Sequence, residues 1–173
     1  IGRQIGDILF NRKSSTMCPE TELLLFFAAR AQHVREVIAP ALSAGIWVLC
    51  DRFSDATFAY QAAGRGLDES FMTTANNYSA CGIKPALTLL FDLPVETGLQ
   101  RAGKRDLQLK DPSAADRFER EKLDFHNRVR DKYLSLSREN PDRFRVINAD
   151  RPVEAIASDV RGHMMDFINR QQG

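Results

Sequence analysis

Three cysteines, Cys18, Cys50 and Cys81, are all this chain carries. They are odd in number and far apart, with no Cys-x-x-Cys or Cys/His spacing. That argues against a disulfide framework and a zinc site, and fits unpaired thiols in a reducing cytoplasm. An excess of one charge is also missing: 24 basic residues against 23 acidic leave a formal charge of +1. No global field points to nucleic acid or to an anionic membrane, so any anion site must be local. The longest apolar runs stop well short of the ~20 residues of a membrane helix. Internal repeats, linkers and low-complexity tracts are absent. His33, His126 and His163 have no carboxylate or cysteine at ligand spacing, which reads as structural or surface use. Nothing resembles a Ser-His-Asp set.

What is present reads as one globular domain spanning residues 1–173, with 43% hydrophobic and 27% charged residues. Ile1, Ile5, Ile8 and Leu9 recur at helical spacing up to Asn11. Pro19, with Glu20 and Glu22 in the opening turn, starts a long helix to Ser43, kinked before Pro40 and closed by Gly45. IWVLC (46–50) reads as a strand apolar on both faces, with Cys50 buried inside it. Further helices are predicted over 54–63 and, capped by Asp68, over 69–81. ALTLLFDL (86–93) is a second strand, and a helix follows from Pro94 to about Arg105. A polar loop then runs to Asp116, DRFEREKLDFHNRVRDKYLSLSREN forms a long helix, RFRVINA (143–149) a third strand, and a last helix starts at Pro152. Strands alternating with helices specify an α/β protein with a parallel sheet, whose ligands lie beyond the strands' carboxyl ends.

That rule puts weight on Asp51-Arg52, where the first strand ends. Alone, such a pair is a solvated strand end with a local ion pair. Phe26 and Arg30 share a helix face at i, i+4. An aromatic platform beside a planar donor suits stacking on a pyrimidine and hydrogen bonding its carbonyl, although Phe26 alone reads as core. Thr57 and Tyr60 share a face of the next helix and Gln61 adjoins it; Phe58 reads as core.

Five segments, in this order, carry a family resemblance: LLFFAARAQHV, VLCDRFSDATFAYQAAGRG, LTLLFDLPVETGLQRA, DRFEREKLDFHNRVRDKYL and VINADRPVEAI. Together they resemble the thymidylate kinase family, bacterial type. The likeness implies a P-loop kinase-like three-layer αβα fold with a parallel sheet, here missing the first two strands. It implies transfer of the γ-phosphoryl of ATP to dTMP with Mg²⁺, in a cytoplasmic homodimer built on helices, 23–42 being a candidate face. The family's Walker A loop, GxxxxGK[ST], does not occur in this sequence, so the chain as written is expected to be inactive and to lack roughly 30 residues, the size of a βαβ motif. The alternatives are another deoxynucleoside or nucleotide kinase of the same fold, or a non-catalytic nucleotide-binding module.

The resemblance also assigns roles. Arg52 grips the dTMP phosphate, and Asp51 acts on Mg²⁺ through water. Phe26 and Arg30 hold the thymine ring, Thr57 lies near its edge, Tyr60 lies by the deoxyribose, and Gln61 adjoins them. A lid over about 101–117 contributes Arg105 and Arg117 to catalysis. Arg101 flanks adenine, with the Ala149–Pro152 loop, including Arg151, on the other face. Arg65, between two glycines, is either a phosphate contact or an ordinary turn residue.

Overall fold

In a computed structural model the chain is described over residues 1–11, 14, 16–109 and 117–172. Helix α1 (Gly2–Phe10) leads to α2 (Pro19–His33), which opens on Pro19 with Glu20 and Glu22 in its first turn. A π-helical turn at Val34–Ile38 joins α2 to α3 (Ala39–Ser43). The turn sits just before Pro40, whose missing N–H and bulky ring interrupt regular α-helical bonding. Gly45 then ends the helix at a φ of 72°.

Next come α4 (Ser54–Thr57), a π-helical segment (Phe58–Gly64) and α5 (Glu69–Ser79). The Asp68 carboxylate caps α5 by accepting from the Phe71 amide at 3.0 Å. Strand β1 (Thr88–Asp92) is followed by α6 (Val95–Leu109), a 3₁₀ turn (Arg117–Arg120), α7 (Leu123–Glu139), β2 (Phe144–Asn148) and α8 (Val153–Gln172). β1 and β2 pair in parallel, from Thr88 opposite Phe144 to Asp92 opposite Asn148. The crossover between them carries α6 and α7, as a parallel pair requires.

Four expectations are corrected. IWVLC is extended but joins no ladder, because no strand lies alongside it to exchange backbone bonds among the described residues. Leu49 is 87% exposed and Cys50 is exposed rather than buried. The predicted loop from Arg105 is helical to Leu109, so the lid expected over 101–117 begins inside α6; its residues are polar but include good helix formers. Residues 110–116 lie outside the described residues. The long helix expected from Asp116 starts instead at Leu123, since Lys122 is extended (ψ 153°).

Two apolar clusters organise the helices. Leu23, Phe27, Ala62 and Met72 join α2, the π segment and α5, with Phe58 packed against them as expected. Ala59, Phe118, Phe125 and Val129 join the π segment to the 3₁₀ turn and α7, with Phe26, Tyr60 and Tyr133 at the edge. Gly64 sits between these layers: a Cβ there would meet the Phe125 ring at 2.6 Å. Only a glycine lets that ring approach the backbone.

Candidate functional site

The extended segment delivers Asp51 and Arg52 to a sharp turn. Arg52 takes a φ of 61°, a left-handed conformation that costs a residue with a Cβ roughly 1–2 kcal/mol. Such strain persists where the surroundings impose it, and it clusters at functional sites. Its guanidinium carbon lies 5.0 Å from the centroid of the Tyr60 ring, within cation–π range.

Arg30 approaches the same turn from α2. Its Nη2 donates to the Phe53 carbonyl (3.2 Å) and to the Thr57 hydroxyl (2.5 Å), while Nη1 donates to Asn76 Oδ1 (3.0 Å). The guanidinium also lies 5.4 Å from the Phe53 ring and 5.6 Å from that of Phe27. Burial pushes its pKa well below the usual guanidinium range, to about 10, with Cys50 and Asp55 acting in the opposite sense. Arg30 and Arg52 are therefore tied to one turn, on Phe53 and its immediate neighbour.

An aromatic wall continues from Tyr60. Its ring meets that of Phe118 at 5.6 Å, and Phe118 meets Phe26 at 6.3 Å. Phe26 is half-buried, Phe118 is buried, and Phe10 of α1 meets both. The Tyr133 ring closes on Tyr60 at 6.5 Å, and burial raises the pKa of its hydroxyl.

Gln61 and Arg65 turn elsewhere. Gln61 is buried and donates through Nε2 to Glu22 Oε1 at 2.7 Å. Arg65 reaches both Glu22 oxygens (3.3 and 3.1 Å) and Glu121 (2.6 Å), between the rings of Phe118 and Phe125. Burial alone would lower its pKa, but the bonds to Glu121 and Glu22 outweigh it and the net shift is upward. These contacts describe Arg65 as a structural clamp, which neither the phosphate reading nor the ordinary-turn reading anticipates.

Beyond the sheet's carboxyl ends, Arg101 donates to the Ala149 carbonyl (2.8 Å) and to Asp150 (3.1 Å). Arg151 bonds the Asn148 carbonyl at 3.1 Å and pairs with Asp159. Arg130 makes a two-point contact with Asp92, at 2.7 and 3.0 Å. The side chains of Arg105 and Arg117 lie outside the described residues.

Sequence reasoning missed Glu22, Asn76, Phe118 and the Asp55–Arg143 pair. Glu22 lies four residues before Phe26 and eight before Arg30, so a helical stripe could have revealed it. Asn76 meets Arg30 across 46 residues, and Arg143 meets Asp55 across 88 (2.7 and 2.8 Å), with no local pattern to mark either.

An α/β protein that ties Arg30 to the turn carrying Arg52, with Arg52 over the first ring of an aromatic wall, suits a flat heteroaromatic ligand bearing an anion. The comparisons make this specific. The thymidylate kinase family profile matches residues 1–160. A protein named thymidylate kinase from Syntrophus aciditrophicus is 49% identical over 99% of this chain and 78% of its own length. Homologues of the same name from Geobacter sulfurreducens (47% identical, 99% of this chain, 80% of theirs) and Desulfovibrio desulfuricans (45%, 99%, 79%) agree. The chain belongs to the thymidylate kinase family, and its members are phosphotransferases.

Proposed function

We propose that this protein transfers the γ-phosphoryl of ATP to dTMP, giving dTDP. The observation that carries the reading is that Arg30 is hydrogen-bonded to the turn that carries Arg52, while the Arg52 guanidinium lies over Tyr60, whose ring leads through Phe118 to Phe26. Arg30 meets the base and Phe26 stacks on it; Thr57 lies at the base edge, Tyr60 by the deoxyribose, and Arg52 holds the 5′-phosphate. Phosphoryl transfer needs positioned reactants and neutralised charge more than covalent help, and the acceptor phosphate is itself the nucleophile. Gln61 borders the base through its position in the π segment, its amide being held by Glu22.

On the donor side, Arg101 flanks adenine opposite the Ala149–Pro152 loop. Arg105 and Arg117 neutralise the transferring group from a lid over about 101–117. Mg²⁺ fits the exposed Asp51 only through water: among the described residues no group of three potential ligands exists, and Mg²⁺ commonly takes one or two carboxylates beside substrate phosphates. Bound there, it would supply charge neutralisation between phosphates. No helix of the described residues is long and apolar enough to cross a membrane. We read the protein as a cytoplasmic homodimer with no nucleic-acid partner, its partner face including the exposed Leu24 and Val37 of the 23–42 helix.

Ligand-dependent melting of the chain tests this. A ligand specific for the folded state at a hundred times its Kd stabilises by about 2.7 kcal/mol. dTMP should raise the Tm more than dCMP, dAMP or thymidine. If thymidine stabilises more than dTMP, the acceptor is a nucleoside and the proposal fails; no response to any of the four removes the acceptor site.

A further inference from the structure

Arg30 is held by acceptors from three separate places in the chain: Asn76 on α5, Thr57 on α4, and the Phe53 carbonyl before α4. None is a carboxylate, so no opposite charge neutralises the guanidinium through these bonds. The contacts also differ in what they fix. Phe53 and Thr57 both bind Nη2, and of these three acceptors only Asn76 binds Nη1. Asn76 thus anchors the second terminal nitrogen of the fork from a different helix, adding a third fixed point to the two on Nη2. Arginine has only N–H donors, so the Asn76 atom facing it is the amide oxygen.

We propose that Asn76 is a positioning residue for base selection, holding Arg30 as a donor-only fork that accepts a pyrimidine with a ring carbonyl and rejects one with an exocyclic amine. This rests on the assignment of Arg30 to the base. Three bonds do not exhaust the guanidinium's N–H groups, and what remains can only donate. A carbonyl edge completes the fork. An amino edge leaves two sets of donors facing each other in a partly desolvated place, where an unpaired polar group is costly. Burial sharpens the discrimination, and the lowered Arg30 pKa reports the same desolvation. A loosely held arginine could swing aside and let the amine pass. Asn76 removes that escape without touching the base.

The test is calorimetric titration of the full chain with dTMP, dCMP and thymidine, comparing wild type with Asn76→Leu and Asn76→Asp. Asn76→Leu removes the acceptor at similar volume, and Asn76→Asp keeps an acceptor oxygen in place. The wild type should prefer dTMP to dCMP. Asn76→Leu should weaken dTMP binding about ten- to a hundredfold and bring the dTMP/dCMP ratio close to one. Asn76→Asp should keep the preference, and the dTMP/thymidine ratio should hold in both variants because the phosphate contact is elsewhere. If Asn76→Leu fails to fold, Asn76→Ala carries the same expectation. A variant lacking the acceptor that retains the wild-type dTMP/dCMP ratio overturns the proposal, however much its affinity falls. A wild type that binds dTMP and dCMP equally overturns the base assignment beneath it.

Discussion

Arg65 and Glu22 form an ion pair at 3.1 Å in which the carboxylate side chain is only 1% exposed and the guanidinium 16%. The pair crosses 43 residues and ties the glycine-flanked turn after the π segment to the first turn of α2. Removing one partner of a buried pair strands the other charge, which costs about 3–5 kcal/mol. Arg65→Ala should therefore lower the urea unfolding free energy by about that much, with little change in the denaturant slope. Glu121 is the more exposed partner of Arg65 at 31%, and Glu121→Ala should cost only about 0–1 kcal/mol. Equal losses in the two variants would show that burial of Glu22 is not what makes the clamp strong.

Arg52 should act on phosphate alone. Arg52→Ala is expected to weaken dTMP binding at least about thirtyfold, the lower end for truncating a desolvated charge contact. Thymidine, which lacks the phosphate, should bind to wild type and variant alike. A parallel loss of thymidine binding would show that Arg52 supports the base region instead.

Gly64→Ala should destabilise the protein by about 1–3 kcal/mol, because the new methyl would enter the Phe125 ring, itself 4% exposed and packed on all sides. Thermal unfolding of Gly64→Ala with and without Phe125→Leu tests the cause. The second change should recover part of the loss caused by the first, so the two costs should not add.

His126 should make the fold acid-sensitive. Burial lowers its pKa below the usual 6.5, with Glu121 and Glu119 opposing, and its Nε2 is buried with no hydrogen-bond partner among the described residues. Between the lowered folded value and 6.5 the unfolded chain binds more protons, so stability rises with pH across that window. The contribution is complete above 6.5 and is lost as pH falls toward the folded value. His126→Gln should flatten the Tm–pH curve on the acid side. An unchanged slope would assign the acid sensitivity to other groups.

The legible parts of the chain were those governed by local chemistry. Pro19 and Asp68 marked helix starts because a missing N–H and a short carboxylate satisfy helix N-termini in their own ways. Gly45 marked an end because glycine takes positive φ freely. IWVLC shows where this legibility stops. Its composition suits a strand covered on both faces, yet a ladder is a relation between two segments, and no described strand pairs with it. The polar run from Arg105 misled in the opposite sense, since polarity alone does not prevent a helix.

By itself the sequence determined the order of the helices and of the two paired strands, and it singled out Asp51-Arg52 and the Phe26/Arg30 spacing, all from patterns within one segment. Tertiary structure alone decided which polar and charged groups are spent on the fold and which gather at the Asp51-Arg52 turn. Gln61 and Arg65 stand within a few residues of Thr57 and Tyr60, yet they are turned into Glu22. Arg30 gained its Asn76 partner only when α5 packed on α2. The physical reason is desolvation: a buried ion or amide must find a partner wherever the packing places one, and that partner can lie dozens of residues away.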